Sequence, residues 1–561
     1  MGSGASSSSK VVCEKVNNND KDVCRSQNQR RSTSSIQNKT NKFSIRTRKQ
    51  KLSSFSITVD SDDGDNIIED EFILTTRNQV QYICNQLSRN KLYCDPHFPA
   101  NDRVLFFNGY HNDRVIKWIR PQDLVLDGTE PEMMIDGVTR DDIQQGILGD
   151  CWFLSSCAAV SQQQRFMKTI LPKDQPLCGQ GYKGVVCFRF WRFGNWVEVY
   201  IDDRLPTVNR ELIYAHCTEA NEFWVALIEK AYAKLRGCYQ SLEGGQTMDA
   251  LVDLTGGLAE RYMLEEYDPN MYRLILRAHK NGAFITCSRK GDWSDSTKSD
   301  ATGLVSGHAY TITSVIKIKH QMGEEKLLRI RNPWGDATEW KGSWSDNDVN
   351  WKWVDSETKR MMDIQSKDDG EFWMSFKDFY RHFQEVTICL TGPDFDGDGV
   401  SDAVGHMEMI SGQWKGISAG GSRNNLDLFT NNPQYLLTLT EPDDFNLQTD
   451  DPELEGMCSV VIALMQEQKP TRDADQNSHQ QIAFVIYEID NPNERLTKRY
   501  FHSHHERGRS GLYINYREVS GRFELSPGHY VIIPSMFQPH IEGRFLIRVF
   551  GEKKFSLKRL L

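Results

Sequence analysis

Apolar residues are scarce and aperiodic from residue 1 to about 70, a stretch rich in Ser, Asn, Gln and Lys, and become dense from Phe72 onward. Such a segment cannot bury enough surface to offset its ordering entropy, so residues 1–75 are expected to form a disordered tail. Beyond it, residues 149–161 carry Trp152, Phe153, Cys157, Ala158 and Val160, the spacing of a helix buried over much of its surface. That helix opens at Cys151. A second helix is predicted over 221–235, with Phe223, Leu227, Ala231 and Leu235 on one stripe and Gly237 as its stop. After about Gly256 the pattern changes to short strands at 282–287, 308–317 and 326–331, separated by polar loops. From about Gly405 strands recur at 436–439, 459–465, 482–487, 523–525, 530–534 and 543–550. This regular spacing predicts an antiparallel β-sandwich.

Length and composition bound the reading further. A chain of 561 residues exceeds one core and suggests about three domains at roughly 150 residues each. The hydrophobic share of 39% and charged share of 26% are those of an ordinary globular protein. A net charge of -10 argues against bulk nucleic-acid binding. No apolar run approaches the roughly 18 residues that span a bilayer, and residues 1–10 lack the apolar core of a secretory signal, so a cytoplasmic location is expected. The 13 cysteines are scattered without a CxxC pair, the usage of a reducing compartment in which a single thiol can be reactive.

Cysteine attacks as the thiolate, and the positive end of a helix dipole lowers its pKa. Gly146-Ile147-Leu148-Gly149-Asp150-Cys151-Trp152 supplies a glycine-bearing turn followed by a cysteine at the head of an apolar helix. Alone, that pattern serves a core cysteine as well as a nucleophile. Two later segments change the balance: His308 heads an apolar strand in Gly307-His308-Ala309-Tyr310, and Asn332 follows another strand in Arg331-Asn332-Pro333-Trp334-Gly335. Cys, His and Asn in that chain order are the arrangement of a papain-like site.

The block from Gln145 through Cys151-Trp152-Phe153-Leu154-Ser155-Ser156, with Gly307-His308-Ala309-Tyr310 and Asn332-Pro333-Trp334-Gly335, closely resembles the active-site blocks of calpains. So do Asn221-Glu222-Phe223-Trp224 and Asp369-Gly370-Glu371-Phe372-Trp373, and the likeness runs in calpain order from about Cys84 to Lys554. The resemblance implies an α+β fold, a papain-like two-lobed cysteine protease core followed by an antiparallel β-sandwich (C2-like) domain. The expected division is a tail over 1–75, a helical nucleophile lobe over 76–255, a β-rich His/Asn lobe over 256–391, an acidic linker over 392–405 and the sandwich over 406–561.

The resemblance also implies a calcium-dependent intracellular cysteine endopeptidase performing limited proteolysis of protein substrates. Cys151 would be the nucleophile, His308 the base, Asn332 the group orienting the imidazole and Gln145 the oxyanion donor, while Trp334 would help hold the lobes apart without calcium. Ca2+ is the implied cofactor. Its expected ligands are Asp142, Glu222 and the backbone oxygens of Ile135 and Gly137 in the first lobe. In the second they are Glu339, Asp346, Asp369, Glu371 and the backbone oxygen of Lys367. Carboxylates with carbonyls are the donor set a hard cation of that size requires.

Several features depart from the family pattern. The chain stops at Leu561, so no penta-EF-hand domain and no small-subunit heterodimer are expected. Asp394, Asp396, Asp398 and Asp402 alternate around Gly397 and Gly399, but Gly405 stands where an EF-hand needs its twelfth-position Glu; a calcium loop and a solvated acidic linker stand as equal readings. Glu441, Asp443, Asp444, Asp450, Asp451, Glu453 and Glu455 occupy the place of the calpain acidic loop. Met1-Gly2-Ser3-Gly4-Ala5-Ser6 fits the myristoylation pattern, with Cys13 or the following basic run as a second anchor, which points to membrane association through the acylated start and the sandwich. Two rival functions are a catalytically silent scaffold and a membrane-binding module with secondary proteolysis.

Overall fold

A computed structural model describes residues 56–58, 76–88, 91–107, 115–291, 296–364, 366–445, 452–471 and 479–560. The myristoylation motif, Cys13, the basic run, Asp450 and Asp451 lie outside the described residues. Within the expected tail, Ser56–Thr58 is a strand paired in parallel with Glu408 to Ile410 at the sandwich edge.

The first lobe is built on helix Cys151–Ser161, every residue of which is buried. An apolar stripe would leave one face wet; this helix has none, because it lies between helix Thr247–Thr255 and the strands Phe284–Arg289 and His308–His320 of the next lobe. Helix Trp224–Arg236 is equally enclosed. It stops at Gly237, whose φ of 115° and close approach to the Thr471 backbone exclude a side chain. Two buried lysines on it are fully paired: Lys230 Nζ reaches Asp202 Oδ1 (2.8 Å) and Lys234 Nζ reaches Asp95 Oδ2 (2.6 Å). Lys230 thereby anchors a β-hairpin of Val185–Arg192 and Asn195–Asp202, and Lys234 does so through Tyr200 O (2.7 Å).

The second lobe is a six-stranded antiparallel sheet in the order Glu371–Ser375, Gly323–Arg331, His308–His320, Phe284–Arg289, Glu385–Leu390, Leu258–Met263. Helices Pro269–Lys280 and Phe376–His382 cover it through Ile275, Phe376 and Phe379.

Two five-stranded sheets form the sandwich. One contains Ser56–Thr58, His406–Trp414, Gly543–Gly551, Cys458–Gln466 and Glu518–Leu525; the other contains Gly508–Arg509, Ile482–Ile489, Gly528–Met536, Gln434–Leu439 and Phe555–Leu560. Strand Cys458–Gln466 is apolar on both faces for a reason: Val460, Ile462 and Leu464 fill the sandwich core, while Val461 and Ala463 pack with Leu258 and Phe395 against the protease lobes. Arg517 Nη1 reaches Asp253 Oδ1 (2.7 Å), and Arg548 donates to the carbonyls of Gly256 (3.1 Å) and Gly257 (3.2 Å), pinning the sandwich to the core. The 392–405 segment is partly buried. Asp394 is buried and accepts from the N–H groups of Asp398 (3.0 Å) and Gly399 (2.9 Å), and Phe395 enters the interface cluster.

Candidate active site at the seam of the two lobes

Cys151 begins its helix directly after a turn that only glycine permits, since a Cβ on Gly146 would collide with the Tyr214 backbone. Across the seam, His308 opens strand His308–His320, and the next residue's N–H, that of Ala309, donates to the Cys151 sulfur. His308 Nε2 lies 2.8 Å from Asn332 Oδ1, leaving Nδ1 as the ring nitrogen free for a thiol proton. Asn332 is itself fixed: its Nδ2 donates to Thr338 O (3.0 Å), and its Oδ1 also accepts from the Trp334 N–H (3.1 Å). The Trp334 ring sits 5.3 Å from the imidazole, centroid to centroid.

Among the described residues no hydrogen bond joins Cys151 to His308. Burial pushes the Cys151 thiol up to about 12 and the His308 imidazole down to about 4. A helix dipole lowers a thiol's pKa, but desolvation of a buried sulfur outweighs it here. Both groups are therefore neutral.

Gln145 is tethered to both lobes, donating its backbone N–H to Pro333 O (3.0 Å) and its Nε2 to Leu148 O (2.7 Å) and Asp150 Oδ1 (3.4 Å). Its amide hydrogens thus point into its own turn.

In the first lobe Glu222 Oε1 accepts from the Ile135 N–H (2.8 Å), and Asp142 accepts from the Thr139 N–H (2.8 Å) and Trp224 Nε1 (3.1 Å). Gly137 lies two residues beyond Ile135 with φ 99°. Burial, then Asp142, pushes Glu222 up to about 7. In the second lobe Glu339 Oε1 accepts from the Gly370 N–H (2.9 Å), Asp369 Oδ1 from the Glu371 N–H (2.9 Å), and Asp346 from the Lys367 N–H. Burial and mutual repulsion push Glu339 up to about 8 and Asp346 up to about 7. Crowded carboxyls short of positive charge are what a divalent cation neutralises, so both sets fit calcium chemically.

Glu371 differs from its neighbours. It takes a two-pronged bond from Arg140 of the other lobe (2.6 and 3.3 Å), and despite burial Arg329 and Arg140 hold its carboxyl below the ordinary value. That bridge, like the Arg331 Nη2 bond to Ile143 O (3.0 Å), crosses the seam and left no periodic signal in the sequence. Among the described residues, three acidic side chains have ligand atoms all within 4.8 Å of one another only at Asp394, Asp396 and Asp398, where Arg277 and Arg522 already pair with Asp398 and Asp394.

Residues 93–390 match the family model described as calpain family cysteine protease, and residues 410–550 match that of the calpain large subunit, domain III. The chain belongs to the calpain family of cysteine proteases. It is 41% identical over 483 residues to Calpain-A of Drosophila melanogaster, covering 84% of this chain and 57% of that one. To human Calpain-9 it is 41% identical over 474 residues (83% and 66%), and to the bovine Calpain-2 catalytic subunit 40% over 483 residues (83% and 67%). The chain thus spans between about half and two thirds of the calpains it matches. The calpain protease core and domain III correspond to the α+β lobes and the β-sandwich described above.

Proposed function

We propose that this calpain is a calcium-dependent cysteine endopeptidase that cuts protein substrates through Cys151, His308 and Asn332. The observation that carries the reading is the 2.8 Å bond from His308 Nε2 to Asn332 Oδ1, with the adjoining Ala309 N–H on the Cys151 sulfur. His308 Nδ1 takes the thiol proton, and the thiolate attacks the scissile carbonyl carbon. The carbonyl electron pair moves onto oxygen, where the Cys151 N–H and one hydrogen of Gln145 Nε2, released from Leu148 O while the other stays on Asp150, stabilise it. The imidazolium then protonates the leaving amine as the C–N bond breaks, leaving a thioester. Water, deprotonated by His308, cleaves the thioester and restores the thiol.

Asp142 and Glu222 with the carbonyls of Ile135 and Gly137 would hold one calcium. Glu339, Asp346 and Asp369 with the Lys367 carbonyl would hold another, and Glu371 would join them on release from Arg140. Bound calcium would supply the positive charge these carboxyls lack. Substrates would be cytoplasmic proteins, with a membrane-associated pool if Gly2 is acylated.

Casein cleavage by the purified chain, in calcium and in chelator, tests the reading. Wild type should cleave only with calcium; Asp142→Ala and Asp369→Ala should each shift the calcium requirement upward, and Cys151→Ser should be inert. Full activity in chelator, or turnover by Cys151→Ser, would refute it.

A further inference from the structure

Helix Trp224–Arg236 carries a carboxyl that the proposed mechanism does not use. Glu229 is buried, and the Ala215 N–H lies 3.2 Å from each of its two carboxyl oxygens. Its remaining face is in hydrogen-bond contact with the carboxyl of Asp150, the residue immediately before the nucleophile. Asp150 is fully buried and its side chain does not cap the helix. Its Oδ1 accepts from Gln145 Nε2 at 3.4 Å, whereas its Oδ2 has no N–H or O–H donor.

Two ionised carboxylates cannot share such a place. Neither forms an ion pair with Lys, Arg or His among the described residues, and the titratable groups facing them are Glu243, Tyr214, Tyr239, Cys151 and Cys157, none of them positive. One shared proton both removes a charge and provides the donor that Asp150 Oδ2 lacks. Burial pushes both carboxyls up, and the contact between them favours the charged form of Asp150 and the neutral form of Glu229, so Glu229 is the member that keeps the proton.

We propose that Glu229 is a positioning residue for the nucleophile turn: its carboxylic O–H donates to Asp150, which in turn holds the Gln145 amide beside Cys151. The proposal rests on the protease reading above. Glu229→Gln replaces the O–H donor with an N–H donor, whereas Glu229→Ala leaves both Asp150 Oδ2 and the Ala215 N–H unpartnered.

The test compares full-length wild type, Glu229→Gln and Glu229→Ala in calcium, reading hydrolysis of a fluorogenic peptide and iodoacetamide labelling of Cys151 across pH 6 to 9. Glu229→Gln should keep kcat/KM within about twofold above pH 8, and Glu229→Ala should lower kcat about tenfold or more with KM little changed. The wild-type labelling profile should keep its shape in Glu229→Gln, which still donates to Asp150, and should shift in Glu229→Ala, which removes the donor that holds the Asp150 carboxyl down. A Gln variant no better than Ala, or an Ala profile unchanged from wild type, overturns the proposal. If Glu229→Ala fails to fold, Glu229→Met, closer in volume and without a donor, takes its place with the same expectations. A wild type that hydrolyses nothing, but whose labelling profile responds to Glu229→Ala, counts against the protease reading and for the positioning role.

Discussion

Cys151 is poorly poised to react in the arrangement described, and the gap can be worked out. The thiol is pushed up to about 12 and its base down to about 4, both by burial. Transfer of the proton from sulfur to imidazole is therefore uphill by about 8 pKa units, or about 11 kcal/mol. Calcium is the perturbation expected to close this gap, by bringing the two groups into contact so that each charge stabilises the other. At pH 7.5 a thiol of pKa about 12 is ionised to about 3 parts in 100,000, against about one part in ten for a free cysteine. In chelator, Cys151 should then be alkylated by iodoacetamide about three orders of magnitude more slowly than N-acetylcysteine. Peptide-resolved mass spectrometry separates Cys151 from the other twelve cysteines of the chain. With calcium the rate should rise at least about a hundredfold, and its pH inflection should move to the neutral range. A Cys151 inflection below about pH 9 in chelator, or equal rates with and without calcium, would show that burial does not hold this thiol neutral.

Four further outcomes are expected. His308→Ala should reduce peptide hydrolysis to background, and Gln145→Ala should lower kcat about a hundredfold to a thousandfold, as initial rates on a fluorogenic peptide would show; wild-type rates in Gln145→Ala would remove it from the oxyanion site. Arg517→Ala should destabilise the chain by about 3–5 kcal/mol in urea unfolding, because it strands the buried carboxylates of Asp249 and Asp253, and adding Asp253→Asn should recover part of the loss. A loss below about 1 kcal/mol would mean that water already reaches that pair. Although burial opposes it, Arg517 and then His479 hold the Asp249 carboxyl down at about 2, below its ordinary 3.8. Its stabilising contribution is thus complete above about pH 4 and lost as pH falls towards 2; Asp249→Asn should flatten that acid limb of the unfolding midpoint.

Local pattern reached some parts of this molecule and not others. Helix Cys151–Ser161 and most sandwich strands were readable because each is a run of buried apolar residues bounded by turn formers, and predicted 543–550 became Gly543–Gly551. Helix Trp224–Arg236 was expected from its stripe alone, yet Lys230 and Lys234 are buried too, since pairing with Asp202 and Asp95 removes the cost of enclosing them. The hairpin Val185–Arg192 with Asn195–Asp202 went unread in a lobe expected to be helical, and so did helices Pro269–Lys280 and Phe376–His382 in a lobe expected to be strands. In each case the class assigned to the lobe overrode a local signal, such as Pro269 following Asp268 at a helix start. His308 and Asn332 were legible only because short motifs surround them. Glu229, Arg140 and Arg331 act through partners 14 to 231 residues away in sequence, and periodicity holds no trace of such pairing.

The seam between the lobes is held in two different ways, and the difference bears on how the site can open and close. At one end the lobes share a single apolar core, in which Phe284, Ala309 and Cys389 of the second lobe pack with Phe153, Ala158 and Leu254 of the first. Burial of that kind changes little with ions or pH. At the other end the contacts are polar: Arg140 to Glu371, Arg331 to Ile143 O, and the Gln145 N–H to Pro333 O. Those bonds lie among the crowded carboxyls of Asp369, Asp346 and Glu339, so any cation held there competes directly with Arg140 for Glu371. A change in charge at this end therefore acts on the polar contacts and leaves the apolar end, where the Ala309 N–H meets Cys151, unaffected. His308 adjoins Ala309 at the apolar end and bonds to Asn332, which adjoins the Gln145–Pro333 contact at the polar end, so the imidazole is held from both.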